Sequence, residues 1–233
     1  MGAKVDVRDS VGSTPLHVAC GEGHLPAVVK LIELGADPAA KDKDGCTPLY
    51  CAAAWNRIEV VKKLHVLGCP SWVQSEEGRT AVHVAAEQGW VDLIRVLVRE
   101  LDCRVDSTDK YKFTPLHSAA NWGWVNAISI LVGLDHAVDV KDCHGRTPLH
   151  YASLHGRTGA IERLFDLGAK LKECDARFGY TPLHLAADSG QCEAVAKLIE
   201  LGADTEAKTI SGRTCLQLAT VKVAPVPSES CWK

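Results

Sequence analysis

No stretch of this 233-residue chain approaches the roughly 20 consecutive apolar residues that cross a bilayer, so no membrane insertion is expected. The opening MGAKVDVRDS lacks the apolar run of a secretory signal, and the expected location is the cytoplasm, with the nucleus as the alternative. Basic residues are not in excess: 26 Lys and Arg stand against 29 Asp and Glu, which argues against a nucleic-acid partner held through its phosphates. Ten cysteines are present, yet no two are spaced as CxxC, and a disulfide framework belongs to short secreted chains. Buried free thiols serving as small apolar residues are the expected reading. GxSxG, GxxxxGK[ST], HExxH and kinase signatures are all missing, so the sequence predicts no enzyme, no cofactor and no metal. Aromatic residues are scarce, at 6%, which makes the places where they cluster informative.

What is present is a repeat. TPLH begins at Thr14, TPLY at Thr47, TAVH at Thr80, TPLH at Thr114, Thr147 and Thr181, and TCLQ at Thr214. The steps between these threonines are 33, 33, 34, 33, 34 and 33, a pitch that composition bias cannot produce. Gly12, Gly45, Gly78, Gly145, Gly179 and Gly212 each stand two residues before the Thr, and an alanine follows five residues after it throughout. A second glycine recurs at Gly23, Gly89, Gly123, Gly156 and Gly190. Apolar residues then return at helical spacing, as in Leu25, Val28, Val29 and Ile32, which marks a helix with one buried face.

Each recurring residue has a physical task. Threonine caps a helix N-terminus, and proline suits the first helical position because its missing N–H costs nothing there. Alanine lets helices approach closely, and glycine permits the left-handed backbone that ends a helix or closes a D-x-x-G turn. Helices this short are marginal alone and become stable by burying a face against the next copy. Five histidines of the box, His17, His83, His117, His150 and His184, then form a ladder with a packing and hydrogen-bonding role. Two 34-residue steps place one extra residue near Leu101–Asp106 and another near Cys174–Phe178. Lys112 stands where the fourth copy should have its turn glycine, and Asn56 where the second should have its inter-helix glycine.

This pattern strongly resembles the ankyrin repeat, from about Gly2 to Ala219. The resemblance implies an all-α solenoid of stacked helix–turn–helix units with β-hairpin-like turns and a concave binding face. It implies a single solenoid over residues 1–220, with a partial unit at 1–8 and repeats starting near 9, 42, 75, 109, 142, 176 and 209. The last repeat is incomplete, and a Pro- and Ser-containing tail occupies 221–233. Neither end reads as a polar cap, so the expectation is a piece of a longer array, with self-association through the uncapped ends.

In this family the variable contact positions are the turn residues before the Thr and two residues late in the first helix. The resemblance therefore implies a non-catalytic scaffold that binds a partner protein through residues drawn from those positions. The candidates are Trp55, Arg79, Tyr111, Phe113, Trp122, His144, Arg146, His155, Phe178 and Tyr180. Trp, Tyr and Arg are favoured binding anchors. A column that holds Trp55, Gln88, Trp122, His155 and Ser189 has no shared apolar requirement, so Trp122 is expected to be exposed. Trp90 and Trp124 occupy a position that reads as structural. The alternative function is a nucleotide or small-molecule sensor that stacks a base on rings such as Trp55, Tyr111 and Trp122, although no phosphate-binding loop accompanies them. His144 and His155 are two potential metal ligands without a third, which reads as surface histidine.

Overall fold

Each repeat begins with a turn nucleated by a side chain. In the second copy Asp42 Oδ1 accepts hydrogen bonds from the amides of Asp44 and Cys46, at 3.0 and 2.8 Å, and so closes the D-x-x-G turn. Asp9, Asp109, Asp142 and Asp175 do the same in their own copies. A backbone bond then joins successive hairpins, as in the Glu76 amide donating to the Asp44 carbonyl at 2.8 Å. These hairpins are turns; no strand is formed among the described residues.

The computed structural model describes residues 4–134 and 137–223. The chain divides into two compact units, Met1–Ala137 and Val138–Lys233, a division that falls near the end of the fourth sequence repeat. The first unit holds α1 (Pro15–Glu22), α2 (Leu25–Glu33), α3 (Pro48–Ala54), α4 (Ile58–Val66), α5 (Ala81–Gln88), α6 (Val91–Arg95), α7 (Pro115–Trp122) and α8 (Val125–Gly133). The second holds α9 (Pro148–Leu154), α10 (Thr158–Asp166), α11 (Pro182–Asp188), α12 (Cys192–Glu200) and α13 (Cys215–Val223). First helices pack on first helices: α1 on α3, α3 on α5 and α5 on α7 in one unit, and α9 on α11 and α11 on α13 in the other. Second helices pack likewise, α2 on α4, α6 on α8 and α10 on α12.

The core repeats with the sequence. Leu16, Leu49, Leu116, Leu149 and Leu183 are buried at one position of the box, and Ala52, Ala85, Ala119, Ala152 and Ala186 at another. The second helices add Val60, Val61 and Leu64, then Leu93, Ile94 and Leu97, then Ile128 and Leu131. No described helix is long and apolar enough to cross a membrane.

The histidine ladder does more than pack. His17 Nδ1 accepts from the Thr14 amide at 3.1 Å and lies 2.9 Å from the Thr14 hydroxyl. Accepting at Nδ1 places the ring proton on Nε2, which donates to the Cys46 carbonyl of the next repeat at 3.0 Å. His83 reaches the Phe113 carbonyl, and in the second unit His150 reaches Tyr180 and His184 reaches Ala207. Histidine thus fills the role usually given to Glu in a capping box and ties neighbouring repeats together.

Both extra residues are absorbed locally. The first enters as a π-helical turn, Val96–Glu100, which continues α6, and Asp102 then takes a left-handed backbone at φ 54. The insertion therefore starts slightly before the expected stretch. The second widens a turn: the Asp175 amide bonds to Tyr180 O, five residues on, where Asp142 bonds to Arg146 O, four residues on.

The expectation of buried free thiols is met only in part. Cys20, Cys69, Cys103 and Cys215 are buried, but Cys143, Cys174 and Cys192 are exposed. Cys143 sits on a hairpin tip and Cys192 opens α12, positions that the stack does not cover. All nine described cysteines are free; Cys231 lies outside the described residues. Burial pushes the Cys69 and Cys51 thiols up to about 11, which keeps them protonated and unreactive at neutral pH.

Asn56 and Lys112 both adopt the left-handed backbone of the glycines they replace, at φ 55 and 59. A side chain in that region costs about 1 kcal/mol or more, and asparagine tolerates it better than lysine. Lys112→Gly is expected to raise the stability of the first unit by about 1 kcal/mol, read as a higher urea midpoint at unchanged slope. An unchanged or lower midpoint would show that the fourth hairpin carries no strain.

Candidate functional site

Four of the ten sequence-derived site residues come together. Arg79 and Phe113 leave their hairpins at the third and fourth repeats, Tyr111 stands at the tip of the fourth, and Trp122 ends α7. With Glu77, Glu87 and Asp109 they line a cleft of about 290 Å³ in the first unit. The local sequence explains the convergence. The turn aspartate Asp109 holds the amides of Tyr111 and Phe113 at 2.8 and 2.9 Å, which aims the hairpin across the end of the first helix.

The groups of the cleft are paired among themselves. Arg79 donates to the Glu87 carboxylate, and Lys110 at the rim to Glu77. Lys110 Nζ also stands 5.0 Å from the centre of the Tyr111 ring. Phe113 stacks on His117 at 4.9 Å and is only half-exposed, so its ring serves the ladder as well as the cleft. Trp122 and Tyr111 are 48% and 50% exposed, each with ring surface available to a ligand.

Trp55 occupies the same column as Trp122 but a different setting. It is 66% exposed and lies against Gly21, whose added Cβ would stand 3.5 Å from its ring. The structural reading of Trp124 holds: its indole donates to the Glu87 carbonyl at 2.7 Å, and its ring covers Gly89. Trp90 is 36% exposed.

In the second unit the remaining candidates are spread over separate small contacts. Arg146 faces the buried Asp175 at 3.4 Å and is itself half-buried. Phe178 and Tyr180 meet at 5.4 Å, Arg177 lies 4.7 Å over the Phe178 ring, and Tyr180 stacks on His184 at 5.9 Å. His144 touches Cys143 at 3.2 Å and Asp142 at 3.5 Å. His155 is exposed at the end of α9, and partial burial followed by the nearby Arg157 holds its pKa below the usual value. Among the described residues no three His, Cys, Asp or Glu side chains are placed to hold a metal ion.

Sequence reasoning left two features out. Asp109 is not singled out from the sequence, although it contributes charge to the cleft; its position two residues before Tyr111 is the available signal. A larger apolar cleft of about 840 Å³ lies over α12 and α13, where Leu216 is 71% exposed while the equivalent Leu183 is buried.

Comparison with known proteins agrees with this architecture. Family models described as ankyrin repeats match residues 2–65, 59–142, 98–175 and 125–209. The structure is similar to the human ASB11 ankyrin repeat domain, with a TM-score of 0.80 and 25% identity over 89% of this chain and 92% of that one. It is also similar to the ankyrin repeat domain of Bcl-3, a member of the IkappaB protein family, with a TM-score of 0.75 and 28% identity over 89% of this chain and 94% of that one. A search of curated proteins finds no match. With family models covering residues 2–209 and a helical repeat at every box, the chain belongs to the ankyrin repeat family.

Proposed function

We propose that this chain is a non-catalytic scaffold that binds a partner protein through the face carrying its hairpin tips and the ends of its first helices, with Trp122 as the main anchor. The observation that carries this reading is the cleft beside Trp122, where scarce aromatic residues gather with charged groups on a rigid stack. Large rings set on a pre-ordered surface lose little entropy on binding, which is why such residues dominate interface energies. The nucleotide-sensor alternative is less favoured, since the two cations beside Tyr111 and Trp122, Arg79 and Lys110, are each spent on a carboxylate.

The test separates Trp122 from Trp124. For an isolated protein partner of the first unit, Trp122→Ala is expected to weaken binding at least about tenfold, from an anchor worth about 2 kcal/mol. Because the ring is half-exposed, the substitution should move folding stability by under about 1 kcal/mol. Trp124→Ala uncovers Gly89 and loses its bond to Glu87, so it should lower stability and leave affinity nearly unchanged. Calorimetry with thermal unfolding reads both. Unchanged affinity in Trp122→Ala would remove the anchor.

A further inference from the structure

We propose that the cleft over α5 and α7 receives a cationic side chain, a lysine or an arginine, from the bound partner. This rests on the reading that the face binds protein, and it names the chemistry of the contact. Three carboxylates, Glu77, Glu87 and Asp109, surround the cleft, and only Arg79 and the rim residue Lys110 oppose them, so 3 − 2 leaves one net negative charge. Both cations are already engaged, Arg79 on Glu87 and Lys110 on Glu77. Asp109 spends Oδ1 on two backbone amides, and neither bond uses Oδ2. An acidic side chain entering here meets surplus carboxylate. A purely apolar one desolvates those carboxylates without compensation. A lysine or arginine brings an apolar stem for the rings and a charged tip for the acids.

The chain itself displays the chemistry at the rim. The Lys110 ammonium sits between the Glu77 carboxylate and the Tyr111 ring, 5.0 Å from the ring centre. Trp122, of the side-chain type that attracts cations most strongly, lines the same cleft and is 48% exposed. A second cation entering beside it finds a ring, the Glu87 carboxylate and the charge of Asp109.

The experiment titrates the full 233-residue chain with four capped tripeptides, acetyl-Gly-X-Gly-amide, where X is Lys, Arg, norleucine or Glu. The readout is the Trp122 indole N–H in a 15N NMR spectrum, assigned by its loss in Trp122→Phe. The Lys or Arg peptide should shift that signal saturably, at least about tenfold tighter than norleucine, while the Glu peptide leaves it unmoved. Added salt should weaken the Lys and Arg peptides and not norleucine. Glu87→Gln should weaken the cationic peptides severalfold; if it perturbs the fold, the salt dependence of the natural chain decides. Norleucine binding as tightly as Lys, or Glu binding more tightly, overturns the cationic assignment while leaving the interaction face intact. No saturable shift with any peptide overturns it too, and the Trp122→Ala affinity test then stands alone for the face.

Discussion

His150→Ala is expected to destabilise the second unit by about 3 kcal/mol, the cost of two buried backbone groups losing their partner and of the space left behind. His150 is fully buried, its Nδ1 accepts from the Thr147 amide at 3.1 Å, and its Nε2 donates to the Tyr180 carbonyl at 3.0 Å. Alanine meets neither group, and the Tyr180 carbonyl belongs to the next repeat, so the seam between fifth and sixth repeats opens first. Urea unfolding measures the loss; a change under about 1 kcal/mol would show that water replaces the imidazole. The same residue sets a pH dependence. Burial lowers its pKa to about 4, against an ordinary value near 6.5. The unfolded chain then binds the proton more readily than the folded one between those values. Stability is therefore fully present above about pH 6.5 and falls as the pH drops toward about 4. Burial lowers His184 in the same direction. In His150→Ala the slope of stability against pH over that window should be smaller by up to one proton.

Gly45→Ala is expected to cost about 3 kcal/mol in the first unit, for two separable reasons. At φ +74 any side chain is disfavoured, and an added Cβ would stand 2.6 Å from the backbone nitrogen of Glu76. That nitrogen donates to the Asp44 carbonyl, so the clash falls on the bond joining the second hairpin to the third. Gly68 provides the control. Its φ is +81, yet nothing lies within 4 Å of an added Cβ, so Gly68→Ala should cost only the backbone term of about 1 kcal/mol. Equal losses in the two variants would show that the hairpin gives way without cost.

The repeat made most of the fold legible. Seven boxes at a nearly constant pitch specify where helices start, because Thr, Pro and His act on the helix they begin. The substitutions Asn56 and Lys112 were legible for the same reason: the backbone they must adopt is dictated by the glycines at equivalent positions. The extra residue of the third repeat was legible only to within a few positions, since a π-helical turn and a longer loop use the same residue count.

The candidate site was harder to read. The variable columns named Trp55 and Trp122 alike, but a column says nothing of what lies across from it. Trp122 meets the Arg79–Glu87 pair and the fourth hairpin, whereas Trp55 lies against Gly21. The thiols divided for a similar reason: Cys20 and Cys143 look equivalent in a list of residues, and only the stack covers one and leaves the other on a hairpin tip.

By itself the sequence determined the repeat length, the helix starts, the alanine column and the family, because each depends on interactions within about one repeat and recurs along the chain. The tertiary structure decided which carbonyl each histidine holds, which glycine cannot accept a side chain, and which rings share a cleft with carboxylates. Those partners lie about one repeat away along the chain, as Cys46 does from His17 and Glu76 from Gly45, and only stacking brings them within bonding distance.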